Sequence, residues 1–339
     1  MVYKMSVKVE RILIEKLFDN KNIDWELKDV NVLVGKNGSG KTTILQLINA
    51  AILNDLKSNS INLCHSVSLY LNKEKSDGKS ITLVNPLALK THAKNFYKTK
   101  ENHYDNMIEN QIKDALNKTN IKNINLDIIN SLKSQIKSSI LQDIENDKNI
   151  EIFFNKKLKE NFSNLSVEYI STINMSANSI NNITKSDGKN TNFLDYEIRE
   201  ELNKLLNSNN QNNKKNLINV LNSMFSDSNK KVEIKNNNLL FKLDNGKIIG
   251  YNSLSSGERQ VIYIFIKVIN ASVNNALILM DEPEISLHLS WQEKLISQIR
   301  QVNKTSQIII VTHSPAIVMN GWMDSFIDIK DILVEKESD

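Results

Sequence analysis

Asp29-Val30-Asn31-Val32-Leu33-Val34-Gly35-Lys36-Asn37-Gly38-Ser39-Gly40-Lys41-Thr42-Thr43-Ile44-Leu45-Gln46-Leu47-Ile48 places an apolar run, a glycine-rich turn and a second apolar run in immediate succession. Residues 29–34 are rich in Val and Leu and read as a strand; residues 44–53 (ILQLINAAIL) carry apolar side chains at helical spacing. Between them stands Gly35-x4-Gly40-Lys41-Thr42, the P-loop pattern, in the strand-to-helix context it requires. Glycines let backbone N–H groups curl around phosphate oxygens at a helix N-terminus that already favours anions. Asn37, Gly38, Ser39, Gly40 and Thr43 are therefore candidate cradle residues. Lys41 is the cation for β- and γ-phosphate, and Thr42 is a candidate Mg²⁺ ligand.

Three further motifs lie downstream. Residues 276–283 (ALILMDEP) form a short continuous apolar run, the mark of a buried strand, and end in two adjacent carboxylates. Asp281 at the tip is a candidate Mg²⁺ ligand through water. Glu282 is a candidate general base for a water attacking the γ-phosphate. Leu254-Ser255-Ser256-Gly257-Glu258-Arg259-Gln260 directly precedes an apolar helix. A hydroxyl and bare N–H groups at a helix start form an anion site, yet the same residues also read as an ordinary N-cap with a first-turn glutamate. Residues 308–315 (IIIVTHSP) are another buried strand, leading into His313.

In this order the motifs resemble the ABC-type ATPase superfamily, whose signature reads LSGGQ or variants such as LSSGE. The resemblance covers roughly residues 6–55 and 250–330, and weakly 166–200. It implies ATP and Mg²⁺ as ligands, ATPase activity and a head-to-tail homodimer. In that arrangement Ser255 and Gly257 contact the γ-phosphate held by the second subunit, and His313 is the switch histidine that hydrogen-bonds it. A Q-loop is expected near 170–176, unassigned to one residue. The expected fold is α/β: a P-loop NTPase core of ABC type with a mostly parallel sheet, an N-terminal antiparallel β region and an inserted helical subdomain.

The branch follows from the residues around the motifs. Thr42 and Leu254 are 212 residues apart, far more than in transporter cassettes. Glu284-Ile285-Ser286-Leu287-His288-Leu289-Ser290-Trp291-Gln292 stands where transporters read SALD. It resembles the branch with RecF, SMC proteins, OLD nucleases and AAA_21 ATPases, although Leu289-Ser290 stands where proline is common. Residues 167–175 and 193–198, with THSPAIVMNGWMDSFIDIKDI at 312–332, resemble the Septu and retron-associated ATPases of bacterial anti-phage systems. That resemblance implies a regulatory or sensor subunit controlling a separate effector, such as an HNH nuclease or a retron reverse transcriptase with its RNA. The alternative is a DNA repair or recombination ATPase of RecF/SMC type that clamps DNA directly.

Composition bounds these readings. The 339 residues carry a net charge of only +4, too mild to name a nucleic-acid partner. There are 39 Lys but four Arg (Arg11, Arg199, Arg259, Arg300), which disfavours base-specific reading by bidentate guanidinium groups. A single cysteine, Cys64, excludes an intrachain disulfide framework. No apolar run reaches the roughly 18 residues of a spanning helix, and the start lacks a signal-peptide layout, so a cytoplasmic protein without membrane partners is expected. The expected organisation is an N-terminal core lobe at 1–85, a mainly helical insert at 86–245 with returning core strands near 166–175 and 232–249, and a C-terminal core lobe at 246–339. Residues 208–216 (SNNQNNKKN) read as a loop, and 232–249 as a hairpin around Asp244-Asn245-Gly246. The insert lacks the Cys-x-x-Cys of a zinc hook. With 26 residues after His313, no TOPRIM nuclease is expected, and His65, His92 and His103 have no partners at ligand spacing.

Overall fold

A computed structural model describes residues 7–72, 80–88, 108–110, 112, 126–146, 165–172, 182–184, 190–208 and 210–334. His92, His103 and residues 173–176 of the expected Q-loop lie outside them. The first half contains β1 (Val9–Leu17), β2 (Lys21–Glu26), β3 (Val30–Val34), α1 (Lys41–Leu53), β4 (Ser66–Leu71), β5 (Ser80–Val84), α2 (Leu126–Asn146) and β6 (Val167–Ser171). Then come β7 (Asn182–Thr184), β8 (Asn190–Asn192), α3 (Phe193–Asn207), α4 (Gln211–Met224), β9 (Lys231–Lys235), β10 (Asn238–Lys242) and β11 (Ile248–Gly250). The chain continues through α5 (Ser256–Ala271), β12 (Leu277–Asp281), α6 (Leu289–Val302), β13 (Ile308–Thr312), α7 (Ala316–Met319), β14 (Phe326–Asp328) and β15 (Leu333–Val334).

The core sheet has the order β14-β3-β13-β12-β6, with every neighbouring pair parallel. Its central strands are continuous apolar runs because both faces are covered. Leu33, Leu277, Leu279, Ile309 and Val311 face one side, toward α1. Val32, Ile278, Met280, Ile308 and Ile310 face the other, against α3, α4, α5 and α6. Each fully buried Leu, Ile or Met contributes about 1.5–3 kcal/mol of transfer free energy. These strands therefore form a rigid base for whatever projects from their ends.

A second sheet, β15-β2-β1-β4-β5, is antiparallel throughout and closes over α1. In β1, Val9, Ile12, Ile14 and Leu17 are buried while Glu10, Arg11, Glu15 and Lys16 are exposed, so one face packs and one is solvated. Cys64 is a buried free thiol, and burial pushes its pKa up to about 12. Among the described residues no helix is long and apolar enough to cross a membrane.

Two local expectations are corrected. Residues 211–216 open α4 rather than a loop: Asn210 caps the helix by accepting from the Asn212 N–H, and Leu217, Val220, Leu221 and Met224 form a buried stripe at helical spacing. The stripe outweighs the low helix propensity of the asparagines. Residues 231–250 do not return to the core sheet; β9, β10 and β11 pair among themselves as a separate antiparallel sheet. Asp244-Asn245-Gly246 does lie in the connection between β10 and β11, with Gly246 at φ +79°.

Candidate functional site

β13 lies between β3 and β12, so the C-terminal ends of three adjacent parallel strands deliver Gly35, His313 and Asp281 to one edge of the sheet. This is the edge at which open α/β sheets bind ligands. The edge opens into a cleft of about 960 Å³ lined by Asn37, Gly38, Ser39, Gly40, Lys41, Thr42, Thr43, Glu282, Glu284 and His313, with Phe18, Ile285, Ser314 and Pro315 at its walls.

The glycine-rich turn has the geometry its sequence predicts. Gly38 and Gly40 hold φ of +73° and +103°, and a side chain at Gly40 would meet the Phe18 ring at 2.9 Å. Gly40 is the N-cap of α1 and offers no side chain, so the first N–H groups of the helix are uncapped toward the cleft. Among the described residues the buried Ser39 hydroxyl has no hydrogen-bond partner. Lys41 is buried; its ammonium donates to the carbonyls of Gly35 (3.0 Å) and Lys36 (3.3 Å) and lies 3.9 Å from Glu282 Oε1. Burial lowers its pKa, against the pull of Glu282 and Asp281.

The Thr42 hydroxyl donates to Asp281 Oδ1 at 2.9 Å, and the Tyr169 hydroxyl donates to Oδ2 at 3.1 Å. Burial raises the Asp281 pKa in spite of these two bonds. Among the described residues no group of three His, Cys, Asp or Glu side chains could hold a metal alone. Thr42 and Asp281 instead present two hard oxygens side by side, which suits Mg²⁺, an ion that takes few protein ligands and completes its shell with phosphate and water.

Glu282 follows Asp281 with φ +49°, a left-handed conformation that a non-glycine residue holds only under constraint. Its N–H donates to Val311 O at 2.9 Å and its carbonyl accepts from Thr172 Oγ1 at 2.5 Å, so the adjacent strands impose the geometry. Its Oε1 stands 2.9 Å from His313 Nε2, which is itself 3.0 Å from Lys41 Nζ. Burial, then the facing carboxyl of Glu284, push Glu282 above the ordinary glutamate range. Burial and the Lys41 ammonium hold His313 below the usual imidazole value. The acids of this edge thus favour an added cation, while the glycine turn and helix end favour an anion. A phosphate–Mg²⁺ pair would fit both.

Ser255 and Gly257 are not among the residues lining this cleft. They form the start of α5 in a capping box: Ser255 Oγ accepts from Glu258 N–H at 3.3 Å and donates to Glu258 Oε2 at 2.9 Å, and Ser255 N–H donates to the same oxygen at 3.0 Å. The N-cap reading of this segment thus describes the isolated chain. Lys230 pairs with Glu258 Oε1. Arg259 Nη1 reaches both oxygens of Asp195 at 3.0 Å, tying α5 to α3. Tyr169, Thr172, Lys230 and Phe18 are contacts that the motifs did not reveal. The second glutamate of Asp281-Glu282-Pro283-Glu284 was the visible signal for Glu284.

Residues 30–320 match the model of the AAA_21 family, described as "AAA domain, putative AbiEii toxin, Type IV TA system". The chain is 34% identical over 102 residues to the Septu protein PtuA of Bacillus thuringiensis, a match covering 26% of each chain. It is 29% identical over 87 residues to a Vibrio cholerae protein named "Retron Vc95 probable ATPase", covering 22% of this chain and 17% of that one. The chain thus spans about a quarter or less of the length of these curated relatives. Among solved structures, the SMC head domain from Thermotoga maritima is 11% identical with a TM-score of 0.47, covering 98% of this chain and 100% of that one.

Proposed function

Because the chain belongs to the AAA_21 family of P-loop ATPases, we propose that it binds ATP in this cleft and hydrolyses it slowly, as the regulatory or sensor subunit of an anti-phage system with a separate effector. The observation that carries the reading is the meeting within 3.9 Å of Lys41, the first residue of α1, with Glu282 and His313 at the tips of two adjacent parallel strands, beside an uncapped helix N-terminus. The N–H groups of Asn37 to Thr43 would take the β- and γ-phosphate oxygens, with Lys41 leaving its carbonyl partners for them. Thr42 and Asp281 would hold Mg²⁺, which when bound neutralises phosphate charge. Glu282 would accept the proton of the water that attacks the γ-phosphorus as the bond to the bridging oxygen breaks. His313, held neutral, would hydrogen-bond the γ-phosphate.

Ser255 and Gly257 have no part in their own chain's cleft, which supports a head-to-tail pair in which each α5 N-terminus meets the other subunit's phosphate. There the Ser255 hydroxyl would exchange Glu258 for a phosphate oxygen. ATP then acts as a clamp that hydrolysis releases, and residues between the two lobes convert that cycle into movement against a partner. The kinship with Septu and retron proteins supports an effector such as an HNH nuclease or a reverse transcriptase–RNA complex, in the cytoplasm.

The test is the size of the wild type and of Glu282→Gln with and without Mg-ATP. Both should bind nucleotide, and Glu282→Gln should remain in the larger form. Disulfide crosslinking of Ser255→Cys to Asn37→Cys, an exposed position of the glycine-rich turn, on a second copy should require ATP, and phage protection should be lost in Glu282→Gln. A protein that neither binds ATP nor associates would overturn the reading.

A further inference from the structure

Glu284 is buried at the cleft wall, three residues beyond the tip of β12. Its Oε1 accepts from three donors at the end of the neighbouring strand: the Thr312 hydroxyl, the His313 N–H at 3.0 Å and the Ser314 N–H at 3.2 Å. A buried carboxylate carries a desolvation cost that such a set of bonds offsets. Its Oε2 is buried with no hydrogen-bond partner among the described residues. The turn that carries Glu284 is stiff: Pro283 precedes it, Ser286 at φ +67° follows, and Gln260 donates to the Pro283 carbonyl at 3.0 Å. On the far side, Ser314 Oγ donates to Gln292 Oε1 of α6 at 2.7 Å.

The His313 N–H is shared, since it also points to Glu282 Oε2 at 3.1 Å. Without Glu284, that donor and the Thr312 hydroxyl would be left for Glu282, drawing its carboxylate toward the strand end and away from the cleft.

We propose that Glu284 is a positioning residue for the reaction: it ties the main chain at Thr312–Ser314 to the acidic turn, fixing His313 against Glu282 and leaving the Glu282 carboxylate directed into the cleft. This rests on the ATPase reading above and deepens it.

The experiment compares Glu284→Ala, Glu284→Asp and Glu284→Gln by steady-state ATP hydrolysis and by the imidazole resonances of ¹⁵N-histidine-labelled protein without nucleotide, His313 being assigned from His313→Gln. Glu284→Gln keeps an oxygen for the three donors and should retain kcat within about threefold and an unmoved His313 signal. Glu284→Ala should lose about 30–100-fold in kcat with KM within about threefold, and shift the His313 resonance, because a misplaced group of this kind costs turnover rather than binding. Glu284→Asp, shorter by one methylene, should show the same pattern should the alanine variant fold poorly. Unchanged kcat and an unmoved His313 signal in Glu284→Ala would overturn the proposal. So would equal losses of kcat, ATP affinity and melting temperature in Ala and Gln alike. Absence of ATP turnover in the wild type would defeat the ATPase reading instead, and the nucleotide-free resonances would still decide the positioning role.

Discussion

Gly257→Ala in the first turn of α5 should destabilise the protein, although alanine is the better helix former. A Cβ at Gly257 would come within 2.4 Å of the Ser286 carbonyl oxygen, where ordinary contact begins at 3.4 Å, so the two backbones must separate by about 1 Å. Helix propensity would favour alanine by about 1 kcal/mol, while overpacking of this kind costs about 1–3 kcal/mol. The second effect wins because the opposing atom cannot give cheaply. Ser286 is already at φ +67°, and its turn is fixed by Ile285 N–H on Glu282 O (3.2 Å) and Leu287 N–H on Glu284 O (2.9 Å). Against so stiff a turn the overpacking cost lies in the upper part of that range, about 2–3 kcal/mol, and the resulting net loss of about 1–2 kcal/mol corresponds to a fall of roughly 2–5 °C in melting temperature for a chain of this size. Differential scanning calorimetry without nucleotide measures it, with Ser256→Ala one residue earlier as the near-neutral control. Because the displaced turn carries Glu282 and Glu284, ATP turnover should fall as well. A melting temperature that stays level or rises would refute the reasoning, since it would mean that α5 and the turn are not in this close contact.

Glu282 titrates higher in the folded chain than in the unfolded one, so the stability contributed by its neutral form is present below about pH 4.5 and is lost as pH rises toward about 8. Glutamine mimics that neutral form. Without nucleotide, Glu282→Gln should therefore melt above the wild type at pH 8 and near it at pH 5, and equal differences at both pH values would refute the assignment. The Arg259–Asp195 pair, with side chains 13% and 19% exposed, should couple α5 to α3 by about 1–3 kcal/mol. A double-mutant cycle of Arg259→Met and Asp195→Asn on urea unfolding measures this, and a coupling energy under about 0.5 kcal/mol would count against it.

The motif residues were legible because each motif is local. An apolar run, a glycine turn and an amphipathic run announce β3, its turn and α1, and the same kind of run announces β12 and β13. Local composition misled at α4, where asparagine and lysine at 211–216 hid a stripe that becomes apolar only from Leu217 onward. It also failed at 231–250, where an alternating pattern signals strands but not which sheet they join. The anchors of the site were invisible for another reason. Tyr169 on Asp281, Thr172 on the Glu282 carbonyl and Lys230 on Glu258 join positions 28 to 112 residues apart, and no spacing rule connects them.

Residue order alone thus established which groups are present: a glycine-rich turn with its lysine and threonine, an acid pair at a strand end, a histidine at another, and a serine–glycine helix start. Which of these meet was decided by the packing. Parallel pairing inserts β13 between β3 and β12, bringing His313 between Lys41 and Glu282, while the capping box and the close approach of Gly257 to Ser286 hold the α5 start outside the cleft. Strand order and helix approach are properties of the whole buried core, fixed by which apolar faces cover one another, and no short window of sequence carries that information.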